Sequence, residues 1–200
     1  APPILARRLY EEFQGKASAF ADAPVARTRQ AAIDGTLSIM VGATVPTFER
    51  IEPLLRHMAS EVTHCGDVGA GQTVKILNNM ILFQTVVALA EGLSIARANG
   101  VDGKVLFETL TKGSADSFAL RNHGMKALLP GVFPERAFST RYALKDLSYA
   151  IDMAEQAGVP ALGADVAREV MERAVELGHG EEYWPVLLKA IEDATGKGGA

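Results

Sequence analysis

The chain has 200 residues, enough for one large domain or for a small domain joined to a larger one. Hydrophobic residues make up 48% and charged residues 22%, which suits a globular protein with a core, and a net charge of -4 with mixed signs argues against a nucleic-acid partner. The single cysteine, Cys65, excludes an intramolecular disulfide and fits the cytoplasm, and no run reaches the ~18 uninterrupted apolar residues expected of a membrane span.

Ala1-Pro2-Pro3 leads directly into a helical stripe, Ile4, Leu5, Leu9 and Phe13, with Gly15 as its stop signal. A chain that starts on a helix, without an initiator methionine or a leading strand, reads as a fragment or a processed product. Ser18 to Val25 is short and apolar and ends in Asp22-Ala23-Pro24, which predicts a strand running into a loop. Leu37 to Gly42 predicts a second strand, Thr47 to Ala59 a helix, and Glu61 to Cys65 a third strand. This alternation is the α/β signature.

Everything beyond Gly71 reads as helical. A long apolar helix runs from Gly71 to about Ala98 and stops at Asn99-Gly100. Asp102 is placed to cap a helix through Leu110. Helices are then predicted over Ser114 to Leu129, Ser139 to Ala157, Ala164 to Leu177 and Trp184 to Ala194, followed by a frayed tail over Gly196 to Ala200.

The passage from Gly69 to Asn79 carries the strongest chemical signal. A glycine-rich turn opens into the long helix, where Lys75 and Asn79 share one face, one turn apart. An ammonium on so apolar a helix either reaches solvent near the helix start or sits in a polar pocket prepared for it. Elsewhere the signals are weak. His57, His64, His123 and His179 lack metal-ligand spacing, and no G-x-S-x-G occurs. Arg27 and Arg29 follow the first strand, and taken alone they favour solvent over a ligand. Lys145-Asp146, on its own spacing, is an exposed pair.

Together these segments resemble the β-hydroxyacid dehydrogenase family. The match is carried by Asp22-Ala23-Pro24-Val25 with Gly35-Thr36-Leu37 and Met40-Val41-Gly42, by Gly66 through Asn79, by Gly113-Ser114 with Ser117, and by Phe138 with Leu144-Lys145-Asp146-Leu147. The resemblance implies a mostly α protein with a small α/β part: the remnant of a Rossmann-type domain (1–68), then an all-helical substrate and dimerisation domain (69–200) around one long helix. The G-x-G-x-x-G turn that cradles a dinucleotide pyrophosphate does not occur in the sequence. The chain then corresponds to the carboxy-terminal two-thirds of such an enzyme and is inactive alone.

The same resemblance implies an NAD- or NADP-dependent oxidoreductase that interconverts a small anionic β-hydroxy acid and its aldehyde or ketone. Lys75 is the implied catalytic acid and base. Arg27, Thr28, Gly71 and Asn79 are implied to bind substrate, and Phe138, Lys145 and Asp146 to lie on the cofactor side. A metal, a nucleic acid and a membrane are not implied, whereas a homodimer or homotetramer is. The family usually has Ser-Gly-Gly after Asp-Ala-Pro-Val; here Ala26-Arg27-Thr28 stands instead, and it is similar to the loop of sulfolactaldehyde reductases. This exchange points to an acidic group bound differently from that of 3-hydroxyisobutyrate. Two alternatives stay open: a non-catalytic helical dimerisation and recognition module, and an imine reductase, against which Lys75 speaks.

Overall fold

The computed structural model describes residues 1–16, 18–27 and 29–194. The frayed tail expected at Gly196 to Ala200 lies outside them. Residues 1–78 and 79–200 form two compact units.

The first unit holds α1 (Pro3–Phe13), β1 (Val25–Ala26), α2 (Arg29–Ile33), β2 (Leu37–Gly42), α3 (Val45–Leu55), β3 (Ala59–Gly66) and the start of α4 (Ala70–Ala98). The strands form one sheet in the order β1-β2-β3, with β1 antiparallel to β2 and β2 parallel to β3. Ile39, Val41, Ala43 and Ala59 are buried in its core, with Phe48, Ile51 and Leu55 of α3 packed against them. The strand expected over Ser18 to Val25 is reduced to Val25–Ala26 plus a bridge from Asp22 to Gly42. Pro24 is the reason: it has no N–H to donate, and only its carbonyl joins the ladder, accepting from Met40 at 3.1 Å. The helix expected to reach Ala59 stops at Leu55, because Pro53 removes a hydrogen bond near its end and Ala59 already belongs to β3. The short α2 was not expected from the sequence.

The second unit is all helical: the rest of α4, then α5 (Gly103–Leu110), a π-helix (Leu120–Leu128), α6 (Thr140–Gln156), α7 (Leu162–Glu176), a 3-10 turn (Trp184–Val186) and α8 (Leu187–Ala194). Asp102 caps α5 by accepting from the amides of Lys104 and Val105. The helix expected from Ser114 begins later because the Ser117 hydroxyl accepts the Leu120 amide at 3.0 Å, and it winds as a π-helix. Pro185 sits in the 3-10 turn that precedes α8, so the last helix is shorter than expected. The chain is mostly α with a small α/β part. By length and composition α4 could cross a membrane, yet Phe83, Val86, Ala90 and Leu93 are fully buried in the helical core, as in the central helix of a globular unit.

That core contains a polar pair. The Tyr183 hydroxyl lies 2.7 Å from Nδ1 of His123, whose ring packs against those of Phe118 and Trp184. Burial, aided by the charge of Lys126, pushes the His123 pKa down to about 4. An unfolded chain takes up this proton below about pH 6.5, whereas the folded chain resists until about pH 4, so stability is lost as pH falls through that window. We expect a loss of about 2–3 kcal/mol from this group. Urea unfolding at pH 7 and at pH 4.5 measures it, with His123→Gln as the reference that lacks the titration. Equal pH dependence in both proteins would refute the assignment.

Candidate functional site

The start of α4 is fixed from the sheet. Asp22 is buried, at 5% exposure, and exchanges backbone hydrogen bonds with Gly42 at 3.0 and 2.8 Å. Its carboxylate accepts the Gly69 amide on Oδ1 at 2.5 Å and the Gln72 amide on Oδ2 at 2.7 Å. Both donors belong to the helix start, where amides have no partner within the helix. Gly69, at φ +94°, takes a turn that other residues resist. Gly71 allows close approach: a Cβ there would lie 2.4 Å from the Met40 carbonyl oxygen.

Lys75 lies on the second turn of α4 and is half-buried, and Asn79 follows one turn later, buried at 5% exposure. Asn79 Nδ2 donates to Oδ2 of Asp146 at 3.0 Å, and Oδ1 of the same carboxylate lies 3.2 Å from Lys145 Nζ. The Lys145 ammonium sits 3.6 Å above the centre of the Tyr142 ring, a cation–π contact. Burial works against that ammonium, but the contacts from Tyr142 and Asp146 outweigh it and hold the Lys145 pKa above its usual value. Phe138 stands edge-on to Tyr142, with ring centres 5.5 Å apart.

The second unit therefore brings together Asn79, Asp146, Lys145 and Phe138. Tyr142 belongs to the same cluster and was missed; its signal was a position three residues before Lys145 on one helix face. The sequence motif around Asp22 carries no sign of its role at the helix start. Tyr142 is 55% exposed, with the Lys145 ammonium over its ring and Phe138 at its edge.

Arg27 directly follows β1. Its Nη1 donates to the Thr36 carbonyl at 2.6 Å and to the Ser60 hydroxyl at 2.7 Å, which ties the end of β1 to the starts of β2 and β3. Its backbone is left-handed, with φ +84°, a conformation that costs a residue with a side chain about 1–2 kcal/mol. Thr28 lies outside the described residues. Arg27→Ala keeps the strain and loses the ties, whereas Arg27→Gly loses both. We therefore expect the glycine variant to be about 1 kcal/mol more stable than the alanine variant. Equal melting temperatures would show that the backbone there carries no strain.

A family model described as NAD-binding of NADP-dependent 3-hydroxyisobutyrate dehydrogenase matches residues 69–190. A second, described as the NAD binding domain of 6-phosphogluconate dehydrogenase, matches residues 1–66. The chain belongs to the β-hydroxyacid dehydrogenase family. It is 33% identical to 2-(hydroxymethyl)glutarate dehydrogenase of Eubacterium barkeri over 177 residues, which covers 88% of this chain and 58% of that protein. It is 37% identical to 3-hydroxyisobutyrate dehydrogenase of Pseudomonas aeruginosa, over 81% of this chain and 56% of that one. The solved structure of Mycobacterium tuberculosis 3-hydroxyisobutyrate dehydrogenase with L-serine superposes with a TM-score of 0.85 at 26% identity, covering 95% of this chain and 67% of that one. The chain thus spans somewhat more than half the length of the two curated relatives.

Proposed function

We propose that the chain supplies the substrate side of an NAD- or NADP-dependent dehydrogenase of small anionic β-hydroxy acids, with Lys75 as general acid and base. The observation that carries the reading is a half-buried lysine one turn before a buried asparagine, on a helix whose start is fixed by hydrogen bonds from the sheet. In the reductive direction the Lys75 ammonium gives a proton to the carbonyl oxygen as the carbon receives hydride. In the oxidative direction the neutral amine takes the hydroxyl proton. Bound nicotinamide supplies or accepts the hydride. Asn79, held by Asp146, orients Lys75 or the substrate hydroxyl. Phe138 and Lys145 serve the cofactor side, with Asp146 fixing the Lys145 ammonium. Gly71 keeps backbone close to the substrate. With Nη1 fixed, Arg27 retains its Nε–Nη2 edge for the substrate's acidic group, and Thr28, next in sequence, is assigned to the same group. The cytoplasm, a reducing compartment, suits the lone thiol of Cys65.

The test is turnover by the full-length enzyme of a panel of 3-hydroxy carboxylates and a sulfonate analogue with each dinucleotide, followed by absorbance of the reduced nicotinamide. Turnover of no member of the panel would remove the reading.

The partner surface assigned by this reading is α4 itself, against a second copy. Ile81, Thr85, Ala88, Gly92 and Ile95 recur at the four-three spacing of a helix-packing seam. Ile81 and Ile95 are 59% and 63% exposed, and a Cβ on Gly92 would meet nothing within 4 Å. The Thr85 hydroxyl is satisfied by the Ile81 carbonyl at 2.7 Å. We expect a dimer by sedimentation at low micromolar concentration and a monomer after Ile81→Glu with Ile95→Glu. A wild-type monomer under those conditions would refute the seam.

A further inference from the structure

Asp22 sits where no local rule would put a helix cap. Helix caps normally come from the residue just before the helix, whereas Asp22 reaches Gly69 from 47 residues and Gln72 from 50 residues upstream. The space for its carboxylate exists because two neighbours lack side chains. A Cβ on Gly42 would fall 2.3 Å from Oδ1, and one on Gly71 would fall 2.8 Å from Oδ2. Each oxygen accepts a different amide, so the carboxylate fixes both the rotation of α4 about its axis and its advance along that axis. Gln72 precedes Lys75 by three residues and Gly71 precedes it by four, so the pinned first turn directly supports the turn on which Lys75 stands.

We infer that Asp22 is a positioning residue for Lys75: it locks the first turn of α4 to the end of β2 and thereby sets where the ammonium lies. This inference rests on Lys75 being the acid and base. Asparagine at this position keeps the shape, but it turns an N–H toward one of the two amides. The helix start must then shift or lose a bond.

The experiment is a double-mutant cycle in the full-length enzyme with Asp22→Asn and Lys75→Ala. Asp22→Asn alone is expected to lower kcat by about 10- to 100-fold, the scale of a misplacement near 1 Å. The amides of Gly69 and Gln72 are expected to exchange with solvent faster, and the KM for the dinucleotide should stay within about twofold of wild type. In the Lys75→Ala background the same change is expected to alter kcat by less than about twofold, because the group it positions is gone. If the two effects multiply, Asp22 acts on the fold at large and this inference falls while the assignment of Lys75 stands. If Lys75→Ala by itself costs little, the functional reading falls first. Should Asp22→Asn fail to fold, Asp22→Ser, which keeps an acceptor in less volume, takes its place in the cycle. Failure of both to fold would make Asp22 a folding residue and overturn the inference.

Discussion

Gly71→Ala is expected to destabilise the chain by about 3 kcal/mol. The added methyl would stand 2.4 Å from the Met40 carbonyl oxygen, 2.8 Å from Oδ2 of Asp22 and 2.9 Å from the Gly42 amide nitrogen. Two of these atoms belong to the backbone of the sheet, and the third is a carboxylate oxygen held in place by an amide of the helix start. No flexible side-chain end is available to give way. Overpacking of this kind typically costs about 1–3 kcal/mol, and the displaced cap adds about 1.5–3 kcal/mol for a hydrogen bond to a charged group. The opposing gain is the better helix propensity of alanine, about 1 kcal/mol, so the clash wins. Urea denaturation of the two proteins checks this, and an alanine variant as stable as wild type would show that α4 can rise off the sheet at no cost. The same experiment separates two roles of Gly71. If turnover falls while stability holds, the glycine serves the substrate; if both fall together, it serves the packing that carries Lys75.

What the sequence revealed and what it hid follow from the range of the interactions concerned. Lys75 and Asn79 were legible because helical spacing is a local property, and a glycine turn before an apolar run marks a helix start wherever it occurs. The long helix and the cap at Asp102 were legible for the same reason. Asp22 was not: its meaning lies in two amides that only the folded sheet brings to it. The tie from Arg27 to Thr36 and Ser60 was hidden likewise, since it depends on β1 running antiparallel to β2. The failed strand over Ser18 to Val25 has a different origin. Its apolar run reads as a strand, but a proline inside a run demotes it, and beyond Pro24 only Val25–Ala26 remain as strand. Ser117 shows the remaining limit. The helix expected from Ser114 starts later, and that start turns on a single hydrogen bond, from the Leu120 amide to the Ser117 hydroxyl.

The largest expected effect on turnover belongs to Lys75. Replacing it with alanine in the full-length enzyme should lower kcat by about two to four orders of magnitude, the range for a positioned acid or base. That corresponds to about 3–5.5 kcal/mol of lost transition-state stabilisation. KM for the hydroxy acid should change much less, because proton transfer belongs to the transition state and not to the bound ground state. Lys75→Arg sharpens the test. Arginine keeps the positive charge but does not release its proton in the accessible pH range. If Lys75 only attracts an anionic substrate, arginine should restore most of the rate. If it exchanges a proton with the reacting oxygen, the arginine variant should remain nearly as slow as the alanine variant, above all in the oxidative direction, where a neutral amine is required. A small primary amine added to the alanine variant should then recover part of the rate, with a pH dependence that follows the amine's own pKa. Near-normal turnover by the alanine variant would remove Lys75 from the chemistry and leave Asn79 and Asp146 as a structural pair joining α4 to α6.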